Sequence, residues 1–292
     1  MNETEWLADR FQEHRPRLRA VAYRMLGSLV EAEDAVQDAW VRLSTCEADR
    51  IDNLGGWLTT VVARECLHML RMRGRRREDL FPAHLPDPVI IPDTDLDPEQ
   101  EALLADSVGL ALLVVLDTLT PAERLAFVLH DMFELPFNEI APIMDRTPAA
   151  ARQLASRARR RVNAADTRIP DPDLPRQRHV VNAFFTAARA GDFDALVQIL
   201  DPDVVLRADL YPDRPAAVFR GVQTVAKLAR APHGAHLQPV LVNGAIGALI
   251  SLDGEPFSLL AFTIHDDKIV EINGIRDPER LRRLAEGTLT PT

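Results

Sequence analysis

The stretch from Pro136 to Arg161 reads PFNEIAPIMDRTPAAARQLASRARRR, and it decides the class of the molecule. Pro136 to Met144 is long enough for only a short helix, and Asp145-Arg146 supplies a turn. Thr147-Pro148 then signals a helix start, with a hydroxyl side chain at the N-cap and proline at the first helical position, where a missing N–H leaves no bond unmade. The helix that follows carries Arg152, Arg157, Arg159, Arg160 and Arg161, with no acid between positions 146 and 165. Two short helices around a tight turn, the second ending in arginines, make a helix-turn-helix candidate. The bland alternative is a helical hairpin with a basic tail. Upstream, Thr120-Pro121-Ala122-Glu123 is a capping box, so residues 99–165 read as helical.

Toward the N-terminus the apolar period stays near 3.6. Leu7, Phe11, Leu18, Val21, Ala22 and Met25 share a face, and Gly27-Ser28 ends that helix. Glu31 to Leu43 sets Ala32, Ala35, Val36, Ala39 and Leu43 opposite Glu33, Asp34, Gln37 and Asp38. A third helix runs from about Leu54 to Arg73. Between the two helical stretches, Phe81 to Pro98 holds five prolines, which rule out regular helix and suggest an extended linker. From Glu78 to Asp106 there are nine acids and no Lys or Arg. Such a segment suits passage through a basic channel, or a disordered spacer.

Toward the C-terminus, Ile169 to Pro175 is a second Pro/Asp linker, and the texture then changes. Helices at Arg176–Ala190 and Phe193–Leu200 precede strand-like runs at 204–208, 237–242, 245–251, 257–263 and 269–275. Asn243-Gly244 and Asp266-Asp267 read as hairpin turns. This is an α+β domain distinct from the helical part.

At 292 residues the chain is long enough for two or three small domains. No apolar run approaches the ~18 residues of a membrane span, and Met1 to Arg10 is polar, so a cytoplasmic location and no membrane partner are expected. Cys46 and Cys66 lie far apart and read as free thiols rather than a metal or redox pair. The net charge of −10 argues against nucleic acid only until the arginine blocks are considered: Arg71, Arg73 and Arg75 to Arg77 form one, and the helix after Thr147 carries the other.

Residues 5–165 resemble the two conserved domains of extracytoplasmic-function sigma factors. Val30-Glu-Ala-Glu-Asp-Ala-Val-Gln-Asp-Ala-Trp-Val-Arg-Leu43 is similar to that family's polymerase-binding helix. Gly56-Trp-Leu-Thr-Thr-Val-Val-Ala-Arg64 resembles the segment that reads and melts the −10 element. The stretch after Pro136 resembles the −35-binding helix-turn-helix. Ala83-His-Leu-Pro-Asp-Pro-Val89 and Asp277-Pro-Glu-Arg-Leu281 resemble the linker and C-terminal motifs of a subgroup with a SnoaL-like domain. His84 stands where that subgroup has Trp, and its Asp-Gly-Gly-Gly-Lys loop is replaced by Tyr211-Pro-Asp-Arg-Pro215.

The resemblance implies a multidomain fold: two all-α sigma domains, the second with a helix-turn-helix, and a C-terminal α+β SnoaL-like cone. The expected division is 5–77, an acidic linker at 78–106, 107–165, a linker at 166–175, the cone at 176–275 and a terminal segment at 276–292. It implies core RNA polymerase, through its β′ and β subunits, and promoter DNA as partners, with no cofactor or metal. Asp34, Gln37 and Asp38 would meet the polymerase. Asn53, Trp57, Thr60, Arg64, Arg71 and Arg73 would serve the −10 element, where extruding a base costs a few kcal/mol that a pocket can return. Thr147, Arg152, Gln153, Ser156, Arg157 and Arg160 would serve the −35 element, with Ala149, Ala150 and Ala151 allowing close approach. Leu85, Pro86, Asp87 and Pro88 are expected to receive Arg276 and Arg280 in a cis-regulatory contact. A small ligand in the cone is conceivable, and His233, His236, His265, Asp209 and Asp253 are its scattered candidate acid–base groups. Two other readings share these features: a helix-turn-helix regulator with a ligand-binding domain, and a SnoaL-type cyclase or isomerase.

Overall fold

The computed structural model describes residues 3–46, 51–77, 85–93, 109–164, 173–210 and 216–285. Expectations for Arg75 to Arg77 side chains, His84, the rest of the acidic linker, residues 165–172, Tyr211 to Pro215 and the last seven residues lie outside them. The chain forms two compact units, Met1–Leu80 with Leu113–Asp166, and Phe81–Leu112 with Thr167–Thr292.

In the first unit α1 (Glu3–Leu26), α2 (Leu29–Thr45) and α3 (Leu54–Arg77) pack around Leu18, Val21, Met25, Leu43, Leu58 and Val62, all buried. The periodic face read from sequence is the core face. Then α4 (Leu110–Asp117), which enters this unit at Leu113, leads to α5 (Pro121–Phe127), α6 (Phe137–Ile143) and α7 (Pro148–Ala164). The capping box is formed in both directions: the Thr120 hydroxyl receives the Glu123 N–H, and the Thr120 N–H donates to Glu123 Oε2 at 3.1 Å. A π-helical turn at Val128–Met132 extends α5. It closes where Leu135 N–H reaches back to Leu129 O at 2.9 Å and Glu134 takes φ 60°.

The end of α1 organises this unit. The last carbonyls of a helix lack intrahelical partners. Gly27, at φ 69°, returns its N–H to Tyr23 O at 2.8 Å. Arg124 of α5 donates Nε to Arg24 O at 3.0 Å, and Arg73 of α3 donates to Leu26 O at 3.0 Å. Arg124 is 2% exposed and also reaches Asp117 Oδ1 at 3.2 Å. Burial pushes its pKa down to about 10, which still leaves it charged at neutral pH.

The second unit has the expected α+β architecture. Helices α8 (Leu174–Ala190), α9 (Phe193–Ile199), α10 (Val222–Leu228) and α11 (Pro278–Ala285) accompany seven strands among the described residues. These are β1 (Ile90–Pro92), β2 (Leu200–Asp209), β3 (Ala217–Arg220), β4 (His236–Val242), β5 (Ala245–Leu252), β6 (Glu255–His265) and β7 (Lys268–Ile275), in the order β1-β4-β5-β6-β7-β2-β3. Among the described strands β2 and β7 pair in parallel and the other neighbours antiparallel. Asn243-Gly244 and Asp266-Asp267 are turns with positive φ at both positions, as two-residue hairpins require; Asp253-Gly254 is a third.

Three features depart from the sequence reading. Part of the presumed linker is the strand β1, with Ile90 opposite Val242 and Pro92 opposite Val240. Its proline is tolerated because β1 is an edge strand. The strand β3 and helix α10 were not read as elements. The C-terminal segment belongs to this unit, with α11 lying against β6.

Gly247 of β5 shows how tight the sheet is. A Cβ there would stand 2.5 Å from Val242 Cγ2 and 2.7 Å from Leu260 O. Gly247→Ala should therefore destabilise the second unit by roughly 2 kcal/mol or more, seen as faster amide exchange across β4, β5 and β6. Unchanged exchange would refute this packing.

Candidate functional site

On α2 the buried residues are Ala32, Ala35, Val36, Ala39 and Leu43, and Asp34, Gln37 and Asp38 point outward. Among the described residues none of these three joins an ion pair, whereas Glu33 pairs with Arg15 at 3.0 Å and Arg19 at 3.1 Å. Val30 and Val41, 68% and 53% exposed, extend the same face. Sequence reasoning passed over them. The signal was their spacing from Asp34 and Asp38, which puts two valines on a polar helix face.

The candidate −10 residues fall on α3 and its entry. Asn53 is the N-cap, its Oδ1 accepting the Gly56 N–H at 3.0 Å and its carbonyl the Trp57 N–H at 3.0 Å. Trp57 is half-buried, and the Thr60 hydroxyl donates to Gly56 O at 2.9 Å. Arg64 and Arg71 are exposed. Arg64 donates to Pro142 O, on α6, at 3.0 Å. Arg73 holds Leu26 O and Glu31, so its guanidinium is engaged within the fold, contrary to the expectation of a cation facing DNA.

On α7 the five candidates Arg152, Gln153, Ser156, Arg157 and Arg160 are exposed along one face, while Ala151, Ala155 and Ala158 are buried. Thr147 begins the helix as read, its hydroxyl accepting the Ala150 N–H at 3.2 Å. The expectation for Ala151 is corrected: it is core, fully buried, and has no approach to make. The arginine block divides by role. Arg159 pairs with Asp131 at 2.5 Å and Arg161 with Glu123 at 2.8 Å; Arg152 lies over the Phe137 ring at 5.4 Å. Further contacts tie α1 to the turn before α6, with Arg17 donating to Phe133 O at 3.3 Å and Arg24 over the Phe133 ring at 4.8 Å.

In the second unit Arg280 is the centre of a buried polar cluster. Its Nε donates to Asp87 Oδ1 at 2.6 Å, Nη1 to Asp209 Oδ2 at 2.5 Å, and Nη2 to Leu85 O. Asp209 also accepts the Leu85 N–H at 3.2 Å. Further along, Val89 N–H donates to Asn243 Oδ1 at 2.6 Å, and Arg178 grips Asp93 through two bonds at 2.9 and 2.7 Å. Leu85 and Pro88 are buried and Pro86 half-buried. Arg276, grouped with Arg280 on sequence grounds, sits elsewhere: its guanidinium is 4.1 Å from the centre of the Phe257 ring.

Arg276 lines a cavity of about 280 Å³ with Phe184, Phe185, Leu206, Ser258 and Ile272 among its walls. None of His233, His236, His265, Asp209 or Asp253 lines it. Asp209 is committed to Arg280, His265 pairs with Asp266 at 3.4 Å, and the others are exposed on turns or at a strand end. The acid–base groups proposed for catalysis are thus not gathered at the cavity. Among the described residues no three His, Cys, Asp or Glu could hold a metal, and no helix is long and apolar enough to cross a membrane.

Comparison with known proteins shows the family. Residues 10–76 match the model for Sigma-70 region 2, and residues 109–162 that for Sigma-70, region 4. The ECF RNA polymerase sigma factor SigJ of Mycobacterium tuberculosis is 38% identical over 288 residues, covering 92% of this chain and 91% of the relative. SigI of the same organism is 35% identical over 289 residues, covering 96% of this chain and 97% of that one. The crystal structure of Mycobacterium tuberculosis SigJ superposes with a TM-score of 0.73 at 34% identity, over 94% of this chain and 98% of that one. The chain belongs to the extracytoplasmic-function sigma factors, and is an alternative sigma factor that directs transcription, with an α+β domain at its C-terminus.

Proposed function

We propose that the chain works in the cytoplasm through three surfaces and is restrained through a fourth. Asp34, Gln37 and Asp38, with Val30 and Val41 beside them, dock on core polymerase. The α3 entry, with Asn53, Trp57, Thr60, Arg64 and Arg71, handles the −10 strand. Arg152, Gln153, Ser156, Arg157 and Arg160 read and position −35 DNA, where a bidentate arginine–guanine pair discriminates by ~1–3 kcal/mol. Promoter elements about one and a half turns apart are separated by ~50–60 Å. Arg64 bonds the α6 backbone directly, so engaging both elements requires α3 and α6 to part.

The fourth surface is the Arg280 cluster. It holds Leu85 and Asp87, in the very segment that joins the two DNA-binding regions. The reading is that this hold lowers promoter activity, and that the cone also accommodates a small ligand. What supports the first is the Arg280 geometry; what supports the second is the cavity.

Asp34→Arg combined with Asp38→Arg should abolish association with core polymerase at an unchanged melting profile, since both side chains are exposed. Normal holoenzyme assembly by the folded double variant would defeat the assignment.

Asp87→Asn removes one charged partner of Arg280 and leaves Asp209 in place. It should raise promoter output several-fold with purified polymerase. Arg280→Ala should do the same at a larger stability cost, roughly 3–5 kcal/mol, because Asp209 is left buried without its cation. Output equal to the unaltered protein from both variants would leave the restraint without support.

A further inference from the structure

The cavity of the cone has a chemistry that narrows what it can hold. Side chains alternate along a strand. In β2 and just beyond it, Leu206, Ala208 and Leu210 face the cavity, while Arg207 and Asp209 do not. In β7, Ile272 and Gly274 face it, and Glu271 pairs with Arg207 at 2.7 Å outside its lining. Among the described residues the alternation keeps the strand carboxylates off the walls. Among the described residues no Asp, Glu or His lines the cavity, and the ionisable lining residues are Arg230 and Arg276. Both are exposed, which puts positive charge where the apolar interior meets water.

Arg276 is held in place. Its backbone N–H donates to Asp209 O at 2.9 Å and its guanidinium lies against Phe257. A guanidinium on an aromatic face is weakly hydrated and keeps its planar fork for a carboxylate. At about 280 Å³ the space suits a small molecule, just under the ~300–1,000 Å³ common for such sites. Gly274 keeps its floor open, since a Cβ there would press on Leu260 Cδ2 at 3.2 Å.

We propose that this cavity binds a small carboxylic acid with a hydrocarbon body, its chain among Phe184, Phe185 and Ile272 and its carboxylate at Arg276. The inference rests on the reading that the cone accommodates a small ligand, and names the chemical class. Arg276 is a specificity residue in this account, and the apolar walls supply affinity for any chain of suitable size.

The test is calorimetric titration of the full-length protein with octanoate, octanol, octylamine and acetate. Octanoate should bind, octanol about tenfold more weakly, and octylamine and acetate not measurably. Arg276→Gln should bring octanoate down to the level of octanol and leave octanol unchanged. Leu206→Trp, which fills the cavity from a half-buried position, should abolish both, with the melting profile showing that the variant folds. Equal affinity for octanol and octanoate in the unaltered protein would overturn the acid preference while leaving the cavity reading intact. Octanoate binding that survives Leu206→Trp would place the acid outside the cavity and overturn the proposal. No binding by any of the four would overturn the proposal together with the ligand reading beneath it.

Discussion

A guanidinium taken out of water costs several kcal/mol unless its donors are met by acceptors in good geometry, and both units are arranged around that constraint. In the first, Arg124 meets the Arg24 carbonyl through Nε and Asp117 through Nη1, while its buried Nη2 has no acceptor among the described residues. The carbonyl is one that the end of α1 leaves without a partner, so burying the arginine and ending the helix are the same event. In the second, Arg280 finds two carboxylates and a carbonyl. Two of those three acceptors, Asp87 and Leu85, lie nearly two hundred positions away in the chain. Leu85 to Asp93, between the DNA-binding regions, is therefore part of the C-terminal fold, and the resemblance of Leu85 to Pro88 to a linker motif acquires a physical content.

How much of this was legible depends on range. Local rules carried the helical half: the Thr120–Glu123 capping box, the Thr147 cap and the 3.6-residue stripes all lie within a few residues of one another. The Asn243-Gly244 turn was legible for the same reason. What escaped depends on partners far off. Arg73 and Arg64 looked like free cations because Glu31, the Leu26 carbonyl and the Pro142 carbonyl are not neighbours in sequence. Ile90 to Pro92 looked like spacer because its proline argues against strand, and only the pairing with β4 makes it one. Arg276 and Arg280 looked equivalent, yet one sits at the strand end over Phe257 and the other is buried in α11.

The strand β2 brings two surfaces of the second unit within one residue of each other. Ala208 and Leu210 line the cavity, and Asp209 between them receives Arg280. A displacement on the cavity side thus has a direct backbone route to the cluster that holds Asp87, through the Arg276 N–H bond to Asp209 O. The acidic face of α2 and the arginine face of α7 need no such arrangement, because each is carried by a single helix.

The pairing of β1 with β4 has a consequence in time. Ile90 leaves the ribosome long before its partner Val242 exists. At ~5–20 residues per second the delay is about eight to thirty seconds. Before that interval ends both DNA-binding regions have been made, while the strand between them has nothing to pair with and Arg280 has not been synthesised. A newly made chain thus passes through a stage in which the helical unit is complete while β1 is still unpaired. The order of the elements along the chain sets the order in which the two units can close.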